Sequence, residues 1–407
     1  MVKNLALSLA SLFLVLVFGE WLFPKFLGKL PLRLYGFIDK DLRILAQSSK
    51  KNLLPKEYIA ILGDSYAVGA GDWLEEVREN NFWGSPDYSP AHLIHKKTGL
   101  DVVSFGRGGA GSFDGIWAEP VTQFLHINSV KDYHLSLPKY FLIFFYEGND
   151  IFDNLALVKD FQATGKGTGD KIKLARFKDF LDAKFKEAQN GNFERSFWKN
   201  MLFTRSILRG VSNLVEEWTA SSKKLRIYPK TPNNIALIDA KNVPLQTHLQ
   251  APPLFGLRSF EKKTGLTNES LKGAVYVFEQ SLARLAAFFP QSEIKIVFIP
   301  SPLSSYKMTS SHVVYRGYMG WINMAETTVI EKKHVELCET IKEIASAHNT
   351  PFINTTKSLR KASSMEIIHG PSDWDHFNKR GYQVLSDDLA EVLIQPVEDT
   401  RTDACVY

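Results

Sequence analysis

Cysteine is scarce in this chain of 407 residues, which has only Cys338 and Cys405. The first lies in a helix-like run and the second lies near the C-terminus. Two cysteines so placed predict neither a disulfide framework nor a metal knuckle. They also give no indication of a redox compartment.

An excess of charge is also missing. The chain has 49 basic and 44 acidic residues, a formal net charge of +5, and the two signs are interleaved along it. Nucleic-acid-binding proteins usually concentrate positive charge in a patch or stripe. The composition therefore predicts no nucleic-acid partner, and no internal repeat is evident.

Charge is absent altogether from residues 4–19 near the N-terminus, which read NLALSLASLFLVLVFG. A helix needs about 20 residues to span a bilayer, and this segment reaches that length only with Glu20 at the interface beside Trp21. No small-x-small cleavage pattern follows the apolar stretch. We therefore predict an uncleaved membrane anchor within residues 1–24, with a cleaved signal peptide or a buried core helix as alternatives.

Beyond a connector at residues 25–55, short apolar runs alternate with helix-length segments. The runs are residues 57–63, 101–105, 139–148, 294–300 and 351–356. Buried parallel strands read as continuous apolar runs, and alternation with helices is typical of a sheet covered on both faces. We predict an α/β fold, a flavodoxin-like three-layer α/β/α sandwich with a mostly parallel five-stranded sheet.

A long interval separates the third run from the fourth. Ile294 lies 144 positions after Asp150, whereas a crossover with its helix needs about 30 residues. The predicted order is therefore a first domain part at 56–150, an insertion at 151–268, a second part at 269–396 and a tail at 397–407.

The insertion contains one amphipathic segment and one glycine-rich tip. Leu174, Phe177, Leu181 and Phe185 fall on one helical face among lysines, which predicts a lid-like helix packed on the main domain, with docking on a membrane as the alternative. The tip, ATGKGTGDK, lacks the G-K-[ST] ending of a phosphate-binding loop and is typical of a flexible turn.

Polar residues follow the first and third strand-like runs. Ser65 comes directly after the first run within GDS, and Asn149 follows the third within GND. Ligands bind at the carboxyl ends of strands in open α/β sheets, where a serine can act as a nucleophile and an asparagine amide can stabilise an oxyanion. In isolation, both are also ordinary turn residues.

A third polar group precedes the last helix. Asp373 lies three residues before His376 in the stretch DWDH. A nucleophilic serine needs a base, and the base needs a carboxylate to orient it. Asp375 is an alternative partner for His376. The other alternative is that this D-x-D-H stretch supplies ligands to a metal ion, although no further ligand cluster stands out in the sequence.

These ordered motifs resemble those of the SGNH, or GDSL-type, hydrolases. GDSY at 63–66, GRGGAG at 106–111, GND at 148–150 and DWDH at 373–376 match the four blocks of that family. The resemblance covers about 57–150 and 270–395. It leaves the anchor and the insertion outside.

The resemblance implies a role for each matched residue. Ser65 would be the nucleophile, His376 its base and Asp373 the orienting acid. The oxyanion would be held by the backbone N–H groups of Ser65 and Gly109 and by the Asn149 side chain. No cofactor is implied.

Two departures from the family pattern mark a divergent subfamily. Glu147 stands where the family usually has glycine two residues before its asparagine, and Ser104 stands where the second block often opens with asparagine. We expect the Glu147 carboxylate to alter the charge of the pocket.

The implied activity is hydrolysis of acyl esters, with an acylated small molecule, carbohydrate or lipid ester as substrate. Membrane-anchored relatives often add or remove acetyl groups on cell-envelope polysaccharides, which favours carbohydrate O-acetyl esters and a catalytic domain on the periplasmic or extracytoplasmic side. Transfer of the acyl group to a sugar, by the same triad, and a non-catalytic assembly module are the alternatives.

The glycine block also spells G-x-G-x-x-G through Gly106, Gly108 and Gly111, which is the local form of a dinucleotide-binding turn. No acidic residue follows a strand-like run about 20 residues later, so no nucleotide partner is expected. A side chain at Gly109 would crowd the backbone N–H that faces the oxyanion, and Arg107 is a candidate for contacting an anionic or sugar substrate.

Overall fold

A computed structural model describes most of the chain. The described residues are 2–31, 34–35, 38, 42–80, 86–164, 172–190, 200–219, 229–317, 320–394 and 404–405. The glycine-rich tip of the insertion and most of the C-terminal tail lie outside these ranges.

The strands and helices alternate along the described part of the chain. The strands are β1 (Tyr58–Leu62), β2 (Asp101–Ser104), β3 (Tyr140–Tyr146), β4 (Lys230–Ile238), β5 (Lys241–Gln246), β6 (Leu249–Gln250), β7 (Glu293–Ile299), β8 (His312–Arg316), β9 (Ile322–Glu326) and β10 (Phe352–Asn354). The helices are α1 (Val2–Leu27), α2 (Arg43–Ala46), α3 (Ser65–Val68), α4 (Asp72–Asn80), α5 (Pro90–Thr98), α6 (Glu119–Ser129), α7 (Asp150–Ala163), α8 (Leu174–Gln189), α9 (Leu202–Thr219), α10 (Arg258–Thr264), α11 (Asn268–Phe288), α12 (Pro302–Ser305), α13 (Thr327–Ala347), α14 (Thr356–Ser363) and α15 (Lys379–Ile394). A π-helical turn, Phe113–Ala118, precedes α6.

The central sheet has five parallel strands in the order β10-β7-β3-β1-β2. Its register aligns Ile59 of β1 with Val102 of β2 on one side and with Tyr140 of β3 on the other. This is the flavodoxin-like order, so the predicted fold class is confirmed. The five strands are the five apolar runs of the sequence.

The strand order also decides where the helices lie. The chain steps from β1 outward to β2, returns past β1 to β3, and then continues in one direction to β7 and β10. Right-handed crossovers therefore place α5 on one face and α6, α7 and α11 on the other. Helix α15 packs against α5, and α11 packs against α7, as this arrangement requires.

Two small sheets lie outside the central one and were missed from the sequence. Strands β4 and β5 form an antiparallel pair, and β6, β8 and β9 form a three-stranded sheet. Strands β8 and β9 belong to the segment between β7 and α13, after the predicted insertion ends. The boundaries proposed for the insertion stay predictions.

The amphipathic segment of the insertion forms α8. Phe177, Leu181 and Phe185 are buried, whereas Leu174 is 46% exposed. The Phe185 ring packs against Phe113 and Trp117, at centroid distances of 5.1 and 5.7 Å. Helix α8 therefore packs on the main domain through three of the four predicted side chains.

The N-terminal apolar segment forms α1, a helix of 26 residues. By length and composition it is able to cross a membrane. A signal sequence has the same properties, so the helix by itself does not distinguish a retained anchor from a signal peptide.

The expectation about the cysteines was wrong. Cys338 on α13 and Cys405 in the tail form a disulfide, with their Cα atoms 5.7 Å apart. The tail is also held by Asn354, whose amide donates to the carbonyl of Ala404 at 3.0 Å. The pairing depends on the tail returning to α13, which no local sequence pattern indicates.

The burial pattern of α8 predicts unequal effects of two leucine substitutions. Leu181→Ala removes a fully buried side chain and should lower the free energy of unfolding by about 2–5 kcal/mol. Leu174→Ala, on the same helix, should change it by less than about 0.5 kcal/mol. Urea unfolding of the full chain in detergent measures both, and equal effects would contradict the packing of α8.

Candidate active site

Ser65 is placed by the tight turn that follows β1. Gly63 has φ +136°, and a Cβ there would lie 2.7 Å from the carbonyl oxygen of Phe144 on β3. Only glycine fits both the backbone conformation and the close approach. The turn therefore brings Ser65, the first residue of α3, to the carboxyl edge of the sheet.

Ser65, His376 and Asp373 form one hydrogen-bonded chain. The Ser65 Oγ lies 2.8 Å from His376 Nε2, and His376 Nδ1 lies 2.6 Å from Asp373 Oδ2. These are the distances required between a nucleophile, a general base and an orienting carboxylate. The structure thus brings together the three residues predicted to be catalytic.

The loop that carries Asp373 and His376 is held from two sides. Asp72, at the start of α4, accepts hydrogen bonds from the backbone N–H groups of Ser372 at 2.8 Å and Asp373 at 2.9 Å. Tyr66 donates its hydroxyl to the carbonyl of Asp375 at 2.7 Å. Tyr66 and Asp72, which follow Ser65 closely in the sequence, therefore position the loop that carries Asp373 and His376.

Asp375, the alternative partner of His376, has a different role. Its carboxylate makes an ion pair with Arg316 of β8 at 2.6 Å. Arg316 also contacts His248, with Nη1 and Nε2 2.8 Å apart. The three-stranded sheet missed from the sequence thus contacts the loop of Asp373 and His376.

The surroundings shift the pKa values of His376 and Asp373 in opposite directions. Burial lowers the pKa of His376, but the hydrogen bond and charge of Asp373, together with the charges of Asp64 and Asp375, raise it above its usual value. Burial raises the pKa of Asp373, but its interactions with His376 lower it below the usual range. The pair therefore favours an ionised aspartate that stabilises an imidazolium.

Asp64 is a polar residue of the site that the sequence reading did not single out. Its carboxylate caps α3 by accepting from the Tyr66 N–H at 2.8 Å, and it also accepts from the Ser65 hydroxyl at 3.2 Å. Burial raises its pKa, although hydrogen bonds from Tyr66, Asn149 and Ser65 oppose the shift. An aspartate before the first residue of a helix is the sequence signal that indicates such a cap.

Two of the predicted oxyanion donors lie close together. Ser65 opens α3, so its N–H belongs to the first turn, where no intrahelical acceptor exists. Asn149 precedes α7, and its side chain hydrogen-bonds to the carboxylate of Asp64 beside Ser65. The amide of Asn149 is thus within the site, and its use as an oxyanion donor stays a prediction.

The glycine loop meets Ser65 near Gly108, since a Cβ on Gly108 would lie 4.0 Å from the Ser65 Cβ. Gly109 has φ +71°, and a Cβ there would meet no atom within 4 Å among the described residues. The expectation that a side chain at 109 would crowd the backbone N–H facing the oxyanion stays a prediction. The left-handed backbone conformation of Gly109 is a separate reason that disfavours other residues there.

Glu147 does not contribute charge to the pocket, so that expectation was wrong. Its side chain is fully buried, lies 2.7 Å from His334 Nδ1, and accepts from the Ser301 N–H at 2.7 Å. Burial raises the pKa of Glu147, but the charge and hydrogen bond of His334 lower it below the usual value overall. The side chain of Glu147, which directly follows β3, therefore lies in the core.

Arg107 lies in the glycine loop with its side chain 51% exposed. Its guanidinium pairs with Glu119 at 2.7 Å and lies 3.6 Å from Asp114. These carboxylates hold it against the start of α6. A contact with substrate stays a prediction.

Comparison with known proteins adds distant structural likenesses. No protein-family model matches the chain, and neither does any curated protein. An extracellular lipase from Streptomyces rimosus is 14% identical, with 82% of this chain and 98% of the lipase covered and a TM-score of 0.38. An acetyl xylan esterase from the rumen bacterium Butyrivibrio proteoclasticus is 10% identical, with coverages of 86% and 65% and a TM-score of 0.35. Likenesses this distant do not assign a function.

The buried pair of Glu147 and His334 predicts a large effect on stability. Glu147→Ala leaves His334 and the Ser301 N–H without their acceptor and should cost about 3–5 kcal/mol. Glu366→Ala removes an exposed pair with Arg380, 2.8 Å long, and should cost less than about 1 kcal/mol. Chemical denaturation compares the two, and similar costs would contradict a structural role for Glu147.

Proposed function

We propose that the protein is a serine esterase that uses Ser65, His376 and Asp373 through an acyl-enzyme. One observation supports this above all: the Ser65 Oγ lies 2.8 Å from His376 Nε2, whose other ring nitrogen lies 2.6 Å from Asp373. A serine, a histidine and an aspartate in this order of contact are suited to nucleophilic attack on a carbonyl carbon.

The proposed reaction has two halves. His376 Nε2 takes the hydroxyl proton as Ser65 Oγ bonds to the ester carbonyl carbon, and the carbonyl oxygen becomes an oxyanion. When the carbon–oxygen bond to the alcohol breaks, His376 returns the proton to the departing alcohol. Water then repeats the sequence, releasing the acid and regenerating the Ser65 hydroxyl.

The oxyanion is assigned to donors at the same sheet edge. The N–H groups of Ser65 and Gly109 and the amide of Asn149 are the proposed donors, which follows the resemblance to SGNH hydrolases. Donors that are fixed before reaction stabilise the developing charge without reorganisation. Asp373 stays ionised throughout and stabilises the imidazolium of His376.

The proposed substrate is an O-acetyl ester of cell-envelope carbohydrate. This choice rests on the family resemblance together with α1, which we propose is retained as a membrane anchor with the catalytic domain on the extracytoplasmic side. A sugar hydroxyl in place of water would make the same triad an acetyltransferase.

Replacing the proposed nucleophile should abolish ester hydrolysis. Ser65→Ala should lower kcat for 4-nitrophenyl acetate by at least about 10³-fold. The control Ser364→Ala changes an exposed serine whose hydroxyl donates to the Lys361 carbonyl, and it should keep full activity.

The covalent intermediate gives a second readout for the same protein. Mass spectrometry after rapid acid quench should find one added acyl group on the peptide that contains Ser65. An unmodified peptide together with wild-type activity equal to that of Ser65→Ala would overturn the esterase proposal.

Asp373→Asn should change the pH dependence as well as the rate. The carboxylate raises the pKa of His376, so its loss lowers that pKa and moves the acidic limb of kcat/KM to lower pH, because neutral histidine is the active base. The maximal rate should fall by about 10³–10⁴-fold. If the acidic limb of kcat/KM does not move in this variant, the limb reports the titration of a group other than His376.

A further inference from the structure

Helix α9 has two opposite faces of different character. Leu202, Ser206 and Gly210, spaced four residues apart, are buried against the rest of the protein. Ile207, Leu208 and Val211 are 43%, 60% and 55% exposed and lie on the other side of the helix. We call these three residues the outer face of α9. A contiguous exposed apolar surface is typical of an interaction site.

The outer face continues a row of side chains that contacts α1. Phe203, Ile207 and Val211 are spaced four residues apart, so they line one side of α9. The Phe203 ring packs on the Phe23 ring at 5.8 Å, and a Cβ on Gly19 would come within 2.2 Å of it. The outer face therefore begins where α9 meets α1.

Glu20 joins the two helices at this point. Its carboxylate accepts hydrogen bonds from the N–H groups of Phe203 at 2.9 Å and Thr204 at 2.8 Å. First-turn N–H groups have no intrahelical acceptor, and a negative charge there is favoured by the helix dipole. The single acidic residue of α1 thus fixes the start of α9 to that helix.

The length of the uncharged run sets the level of this junction in a bilayer. Residues 4–19 form a helix about 24 Å long, at about 1.5 Å per residue, whereas the hydrocarbon core is about 30 Å thick. If α1 spans the bilayer, Glu20 and Trp21 lie at its boundary, where tryptophan is enriched. The start of α9 then lies at the same boundary.

We propose that the outer face of α9 is a membrane-docking surface whose partner is the phospholipid bilayer that α1 crosses. Ile207, Leu208 and Val211 would lie among the upper acyl chains. This proposal rests on the membrane anchor in the proposed function and is independent of the esterase chemistry.

Docking through α9 would orient the catalytic domain. Helix α9 is attached to the domain by Arg205, whose Nη1 lies 3.3 Å from His126 Nε2 of α6. Just before α9, the Asn200 side chain accepts from the Lys131 N–H at 2.7 Å. Two membrane contacts, α1 and α9, would hold the domain at a set angle to the bilayer.

Fluorescence quenching of the full-length chain tests this proposal. Both native cysteines are joined in a disulfide, so a single introduced cysteine can be labelled with an environment-sensitive fluorophore. The variants are Leu208→Cys on the outer face, Leu12→Cys on α1, and Lys241→Cys at the start of β5. The native Lys241 side chain is 77% exposed. Each is reconstituted into phosphatidylcholine and phosphatidylglycerol vesicles with nitroxide-labelled acyl chains.

The labels at 208 and 12 should both be quenched about twofold or more, and the label at 241 should be unaffected. Val211→Cys should repeat the result at 208, which guards against one variant failing to fold. Near-UV circular dichroism checks the fold of each variant.

Different failures have different meanings. Quenching at 12 without quenching at 208 and 211 overturns the docking surface and leaves the anchor in place. A blue shift at 208 without lipid quenching assigns the outer face to a second copy or another protein and also overturns the proposal. Absence of quenching at 12 contradicts the anchor and, with it, the docking surface. Loss of ester hydrolysis in any arm bears only on the enzymatic proposal.

Discussion

The hydrogen bond between Ser65 and His376 joins residues 311 positions apart in the chain. It forms only because β1 lies inside the central sheet, between β3 and β2, and the loop before α15 returns to the carboxyl edge of that sheet. Asp72, accepting two backbone N–H groups of that loop, ties the turn after β1 to the loop. The candidate site therefore depends on the whole sheet being assembled in its observed order.

Elements outside the central sheet make charged contacts that fix the loops and helices around it. Arg316, on a strand of the second sheet, pairs with Asp375 beside the candidate base. Near the N-terminus Glu20 binds the start of α9 to α1. In both places a charged side chain is stabilised by a partner from a distant part of the chain, and the partner is what makes its partial burial tolerable.

Much of the core could be predicted because its signals are local. Continuous apolar runs mark parallel strands buried on both faces, and all five runs became strands of the central sheet. Ser65, Asn149, Asp373 and His376 could be picked out because strand ends and helix starts place them. Glu147 could not, because whether a residue at a strand end faces the pocket or the core depends on His334, 187 positions away.

The five strands of the central sheet, the apolar N-terminal helix and the polar residues at the sheet edge could be predicted from the residues alone, since these follow from periodicity and local turn chemistry. Packing between distant segments settled that Asp373 and not Asp375 contacts His376, that Cys338 meets Cys405, and that the start of α9 contacts Glu20 of α1. These are pairings between distant segments. Each depends on how the elements pack in space, which no short stretch of residues specifies.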